Sequence, residues 1–394
     1  MKFSVLLPTC NRLDLLTMAI ETVLQQDYDD WEVIVSDNFS EENIAGYIDS
    51  LNDARVKYFR TEKFLPVTDN WNNAIDQSTG DYVIMLGDDD GLMPGYFSIL
   101  NDHIETYAEP DFIYTGAYLF AYPGVLPGCP GGFVRSYENR AIYQGRGDAF
   151  LLEKNTAIAF VESSMNFHVA FDYNMQFSLV SRKLIEALKE YGPFYQSPYP
   201  DYYASNVIML SAQRILVVPK PLVAVGISPK SFGSYYFNDA ESKGNKFLNN
   251  LPDKEMGARL RKVMLPGSTM NTSWLIAMET IVENCGRKYD VSVNFDRYRI
   301  VQILSVFTAM LLDKANSRDD YNELIRKMRP GEWIRLWVPF VLQRWRTPRQ
   351  SYPQLAQKWQ QMAASHPAVD MPELVGTWAT MLELFENTPE WRTR

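Results

Sequence analysis

The sequence predicts an α/β domain of parallel strands with helical crossovers, followed by a mostly helical C-terminal domain. Three observations predict it. Short apolar runs alternate with segments of helical period through the first hundred residues. Polar loops follow several of those runs. From about Leu251 the strand-like runs stop and helical patterns take over, through Asn271 to Asn284, Asp296 to Ala315, Asp319 to Met328, Tyr352 to Ala364 and Pro372 to Phe385.

Phe3-Ser4-Val5-Leu6-Leu7 is a short apolar run ending at Pro8, as a buried strand requires. After Thr9-Cys10-Asn11-Arg12, the stretch Leu13 to Gln25 carries Leu16, Ile20, Val23 and Leu24 at helical spacing. Trp31 to Val35 reads as the second strand, Glu41 to Leu51 as the second helix, and Val56 to Phe59 as the third strand. Asn70 to Ser78 forms a helix that Gly80 closes, and Tyr82 to Leu86 is the fourth strand. This rhythm implies parallel pairing. Ligands of such sheets bind beyond the carboxyl ends of the strands. The loops Thr9 to Arg12, Ser36 to Ser40 and Gly87 to Gly91 are therefore expected to converge on one crevice. No GxGxxG or Walker loop is present, so hydride transfer and P-loop chemistry lose support. The tyrosine and glycine enrichment from Tyr107 to Tyr143 fits sugar stacking or an irregular loop packed on the sheet.

With 394 residues there is room for one large domain and a smaller one. An apolar fraction of 46% and an aromatic fraction of 13% argue against wholesale disorder. A net charge of −10 argues against broad nucleic-acid binding, which needs a basic footprint. An acidic protein still binds an anionic nucleotide when a divalent cation sits between carboxylates and phosphates. Cys10, Cys129 and Cys285 match no zinc or redox spacing and read as isolated thiols in a reducing compartment. The N-terminus lacks a signal peptide's apolar region, and Val301 to Leu312 is too short to span a bilayer. The expectation is a cytoplasmic protein, with contact to the inner face of the cell membrane left open.

The sharpest signal is Met85-Leu86-Gly87-Asp88-Asp89-Asp90-Gly91-Leu92-Met93-Pro94, three adjacent acids directly after an apolar strand. Three like charges in a tight turn repel, and a hard divalent cation, Mg²⁺ or Mn²⁺, relieves the repulsion. The alternative is a solvated acidic loop.

Together with Val5 to Arg12, Val33 to Ser40 and Ala74 to Pro94, this cluster resembles the family 2 glycosyltransferases of the GT-A fold. The resemblance is close over about residues 1–100 and loose to about 236. It implies a Rossmann-like mixed sheet flanked by helices, spanning 1–250, with 1–100 as the nucleotide-binding half and 101–250 as the acceptor half. The helical domain, 251–394, lies beyond its reach. Asp37 matches the acid that accepts a base N–H, while Thr9 and Arg12 line the nucleotide pocket. Asp88 would hold the ribose or an outer-shell water, and Asp89 or Asp90 would ligate the metal. Many relatives carry an acid where this chain has Gly87, which leaves the division among the three acids open.

The same resemblance places a general base about a hundred residues after the metal motif, and Asp201 fits. Pro200 stands where most relatives carry a further acid. Read from the residues alone, Asp201 is equally a helix N-cap before Tyr202 to Leu210. Arg214 to Val225 resembles the family's closing strand pair, and Gly226 to Ser234 its loop over the donor. There Lys230 either reaches the diphosphate or is simply exposed. His168 and Tyr202 lie where the family builds its acceptor side, His168 being alternatively a satisfied, partly buried histidine. In the helical domain, Trp333, Trp337, Phe340, Val341 and Trp345 share a face beside Arg335, Arg344 and Arg346, which suits a membrane interface or packing onto the main domain, with Pro339 a kink point.

The function expected is inverting transfer from a nucleotide-diphosphate sugar, a UDP-sugar first, to a saccharide or lipid-linked acceptor in surface polysaccharide synthesis (capsule, lipopolysaccharide or exopolysaccharide). A degenerate sugar-binding scaffold is the first rival. A sugar-phosphate nucleotidyltransferase is the second, although Thr9 to Asp14 is not the Gly-rich basic loop that a triphosphate needs.

Overall fold

The computed structural model describes residues 1–125, 129–136, 141–231, 260, 262–267, 270–314, 316–363 and 374–389. Phe232 to Ser234 of the expected donor loop, and Leu251, lie outside them. Two compact units emerge. The first is Met1–Val161, Ala170–Asn250 and Val369–Arg394, and the second is Glu162–Val169 and Leu251–Ala368. A division after residue 250 is thus crossed twice, by a short stretch after Val161 and by the C-terminal residues.

The first unit runs β1 (Phe3–Thr9), α1 (Leu13–Leu24), β2 (Trp31–Asp37), α2 (Ile44–Leu51), β3 (Val56–Arg60), α3 (Val67–Asp76) and β4 (Tyr82–Met85). It continues with β5 (Gly91–Leu92), α4 (Tyr96–Thr106), β6 (Phe112–Ala121), β7 (Phe133–Ser136), β8 (Phe150–Leu152) and α5 (Lys154–Met165). Then come β9 (Ser178–Ser181), α6 (Arg182–Leu188), α7 (Pro200–Ser211) and β10 (Ile215–Ile227). Strands β3, β2, β1 and β4 lie side by side, all parallel. Antiparallel β9 separates β4 from β6, and β10 runs parallel along β6. The fold is therefore a mixed α/β sheet flanked by helices, the class expected. Val5, Leu6 and Leu7 are all buried although they alternate in direction, because both faces of β1 are covered.

Two readings need correction. Tyr107 to Tyr143 is no irregular loop, since it holds the ten-residue β6 and then β7. Nor does one helix cover Pro372 to Phe385. The described part of that stretch is a short strand, β11 (Leu374–Gly376), antiparallel to β7, and a later helix over Met381–Glu386. Thr380 caps that helix by accepting the Glu383 N–H, so it starts late. Met381 and Leu384 are fully buried among Leu15, Met93, Phe120 and Ala224. The far end of the chain thus completes the core behind the acidic turn.

Glu32 of β2 is 1% exposed yet charged. It accepts from Lys2 and Lys57, both at 2.8 Å, and from the Ser4 hydroxyl at 2.7 Å. Burial pushes its pKa up, but these donors win and hold it well below the usual carboxylate range. Its stabilisation is therefore present above the unfolded value of 4.5 and is lost as pH falls toward the lower folded value. Glu32→Gln is expected to cost about 2 kcal/mol at neutral pH and progressively less in acid. Thermal unfolding at both pH values measures this, and an equal loss at both would refute the linkage.

The second unit contains α8 (Met270–Tyr289), α9 (Phe295–Leu311), α10 (Ser317–Lys327), α11 (Val338–Arg346) and α12 (Tyr352–Ala363). Phe307 of α9 stacks on Phe340 of α11 with centroids 4.1 Å apart, and Trp359 of α12 meets both edge-on. Pro339 produces no break, because a wide turn over Trp333–Trp337 precedes it and Pro339 falls in the first turn of α11, where no N–H is required.

Candidate active site

Parallel register fixes the first contacts of the site. Thr9 ends β1 opposite Asp37, which ends β2, and Asp37 in turn faces Arg60 at the end of β3. Beyond β4, Gly87 to Asp90 makes a tight turn closed by the Asp90 N–H on the Gly87 carbonyl at 3.2 Å. Antiparallel pairing of Gly91 and Leu92 with Ala224 and Val223 then ties that turn to β10.

The three acids are all buried, at 3%, 7% and 2% exposure for Asp88, Asp89 and Asp90. The solvated acidic loop is therefore set aside. Each acid has a different job. Asp88 accepts from the Thr9 hydroxyl at 2.8 Å and from the Arg12 guanidinium at 2.9 Å. Asp89 accepts from the Ser228 hydroxyl at 2.8 Å. Asp90 takes backbone N–H groups on both oxygens, Gly226 at 2.7 Å and Gly87 at 2.8 Å, and also the Gln176 amide. Asp90 is thus the most committed of the three.

Among the described residues, Arg12 alone brings positive charge onto these acids, through Asp88 at 2.9 Å. Burial, and then repulsion from Asp88, pushes Asp89 up; burial, and then Asp89, pushes Asp90 up. Two buried acids disfavoured as anions form a site short of positive charge, which is the electrostatic fit a divalent cation requires. Among the described residues no group of three or more Asp, Glu, His or Cys side chains is arranged to hold a metal ion by itself. An ion here would draw ligands from Asp89 and Asp90 and the remainder from phosphate and water, as Mg²⁺ commonly does.

The other expected residues fall as follows. Asp37 is fully buried and accepts from the Ser40 N–H at 2.9 Å and the Tyr58 hydroxyl at 2.6 Å, with Arg60 at 3.4 Å. Lys230 is half-exposed and reaches the Asn11 carbonyl at 3.1 Å and Asp14 at 3.4 Å, while its own carbonyl accepts from Arg12. The first loop and the start of the expected donor loop are therefore in contact.

Asp201 is not the N-cap. Tyr199 holds that position, Pro200 opens α7, and Asp201 sits inside its first turn, its carboxyl accepting the adjacent Tyr202 N–H at 3.0 Å. Burial raises its pKa to about 7. A helix N-terminus pulls the other way, but by less than about 1 kcal/mol, so desolvation wins. The approach to Asp201 is pinned to α3: Asn72 exchanges hydrogen bonds with the Tyr195 backbone at 2.9 and 3.0 Å, and Thr68 donates to the Ser197 carbonyl at 2.7 Å. Tyr202 packs edge-on against Tyr173 at 4.8 Å. His168 belongs to the second unit and is exposed, which corrects the partly buried reading; its pKa is lowered by desolvation and by Arg297.

Three contributors escaped the sequence reading. Gly226 and Ser228 lay in a segment already singled out, but their contacts with Asp90 and Asp89 depend on the β5–β10 pairing. Gln176 carries no sequence signal at all.

Residues 4–119 match the family model described as glycosyl transferase family 2. The chain is 40% identical over 102 residues to a Campylobacter jejuni GalNAc(5)-diNAcBac-PP-undecaprenol beta-1,3-glucosyltransferase, covering 25% of this chain and 33% of that one. It is 31% identical over 148 residues to a proposed colanic acid biosynthesis glycosyl transferase, WcaA, of Escherichia coli K12, covering 36% and 52%. The matches thus span a third to a half of these relatives. The structure of S. aureus TarS 1–349 in complex with UDP-GlcNAc aligns with a TM-score of 0.46 at 14% identity, over 82% of this chain and 88% of that one.

Proposed function

We propose, for a chain whose residues 4–119 belong to glycosyl transferase family 2, the transfer of a sugar from a UDP-sugar to an acceptor hydroxyl with inversion. The observation that carries the reading is the buried turn Asp88 to Asp90, three acids that among the described residues have one arginine, Arg12, beside them. The relatives named for undecaprenol-linked and colanic acid sugars support a saccharide or lipid-linked acceptor in surface polysaccharide synthesis. The proposed setting is the cytoplasm at the inner face of the membrane, where a lipid-linked acceptor would be met. No helix among the described residues is long and apolar enough to cross it.

Asp89 and Asp90 would hold Mn²⁺ or Mg²⁺, which would supply neutralisation of the leaving diphosphate. Arg12 and Thr9 fix Asp88 toward the ribose. Asp37, with Tyr58 and Arg60, reads the base. Asp201 takes the proton from the acceptor hydroxyl as its oxygen bonds to the anomeric carbon. The bond from that carbon to the phosphate oxygen breaks, and its electron pair leaves with the nucleoside diphosphate. Lys230 lies beside the first loop, in reach of the same diphosphate.

The test is release of nucleoside diphosphate from a panel of nucleotide sugars with Mn²⁺. No metal-dependent release from any donor would favour the scaffold reading. Asp89→Ala is expected to weaken Mn²⁺-dependent donor binding by tenfold or more, on the order of the loss when a metal site is damaged. Thermal stabilisation by donor with and without Mn²⁺ reads this directly. Full retention of the metal-dependent shift would remove Asp89 from the site.

A further inference from the structure

The tryptophan–arginine segment of the second unit presents two faces. Leu336 and Phe340 point into the unit, Phe340 stacking on Phe307. Trp337 turns the same way, its indole donating to the Tyr321 hydroxyl at 2.8 Å. The opposite face is bare. Ile334, Val338, Leu342 and Trp345 are 72%, 41%, 45% and 85% exposed. Their spacing of four, four and three residues draws one stripe along a helix. Single exposed apolar residues are ordinary, but four aligned ones mark a contact surface.

Charge identifies the partner. From Trp333 to Ala363 there is no Asp or Glu, whereas Arg335, Arg344, Arg346, Arg349 and Lys358 are all present. The whole chain carries −10, so this basic run stands against the prevailing charge. Arg335, Arg346 and Arg349 are exposed, and no acid pairs with them among the described residues. A second copy of the chain fits poorly, because a two-fold contact would set arginine against arginine.

We propose that this face docks on an anionic phospholipid surface. The four apolar side chains enter the boundary between headgroups and acyl chains, and the arginines meet lipid phosphates. The docking side chains are thus Ile334, Val338, Leu342 and Trp345, not the buried Phe340 that shares the tryptophan face in sequence. The inference stands apart from sugar transfer, since its measurement involves no catalysis.

The experiment is co-sedimentation of the full chain with vesicles of phosphatidylcholine alone or mixed with phosphatidylglycerol. Binding to the mixed vesicles, weakened by salt, is expected, with little binding to phosphatidylcholine. Each arginine changed among Arg335→Gln, Arg346→Gln and Arg349→Gln is expected to lower partitioning about fivefold. Ile334→Asn and Trp345→Asn are expected to lower it about tenfold each. Because all five positions are exposed, circular dichroism should remain unchanged, and the arginine set serves as a second readout should an asparagine variant misfold. Absence of binding to the mixed vesicles, binding indifferent to every variant, or a dimer in light scattering that Trp345→Asn dissolves would each overturn the proposal.

Discussion

Asp201→Asn is expected to cut sugar transfer by about 10²-fold or more while leaving donor affinity near normal, the signature of a lost general base. Loss of the base leaves the acidic turn and its charge intact, so nucleotide binding has no reason to change. The pH dependence sharpens this. With its carboxyl pushed up to about 7 by burial, Asp201 is protonated and inactive as a base below that value. Transfer should rise about tenfold per pH unit up to about 7 and then level off, and the variant should lose this limb. Stability carries the opposite sign. An acid whose folded pKa is raised favours the protonated protein, so ionising it at neutral pH costs stability. Asparagine removes that cost and is expected to stabilise the protein by on the order of 1 kcal/mol. A residue that merely held the helix start would do the reverse. A variant that is less stable, and that loses donor binding and transfer alike, would end the assignment.

What the sequence disclosed and what it hid divide along one physical line. Of the four parallel strands, β1, β2 and β4 were legible because they are covered on both faces and so read as largely apolar runs, while the half-covered β3 was legible from the short Val56 to Phe59 stretch and its place in the rhythm. The acids of the turn were legible because three adjacent carboxylates directly after an apolar strand repel one another, and either a solvated loop or a bound cation has to relieve that repulsion. The unequal roles of those acids were not. They arise from Gly226, Ser228 and Gln176, which reach the turn through long-range pairing. The N-cap reading of Asp201 failed for a local reason: Pro200 supplies a fixed φ and no N–H, so it takes the first helical position and moves the cap back to Tyr199. Strands β6 and β7 were hidden for a different reason: β6 is buried almost throughout and so shows no alternation, and β7 is only four residues long. The return of Met381 and Leu384 to the first unit was hidden by sequence distance alone.

Gly226→Ala is expected to damage the site more than its single added methyl implies. A Cβ at that position would lie 1.8 Å from the Asp89 carbonyl oxygen and 2.7 Å from its carbon, both backbone atoms that no side-chain rotation can clear. The peptide of Asp89 must move, and the Gly226 N–H that holds Asp90 at 2.7 Å moves with it. A displacement near 1 Å in a catalytic group costs on the order of 10²-fold in rate, and overpacking costs about 1–3 kcal/mol in stability. Both losses are expected together, with donor binding reduced as well, because the turn itself is deformed. Ser228→Ala is the comparison: it removes one hydroxyl from Asp89 without pushing the backbone, so its effect should be much smaller. Activity near the wild-type level in Gly226→Ala would mean that the turn tolerates displacement. The buried acids would then not be the rigid anchor on which the proposed transfer depends.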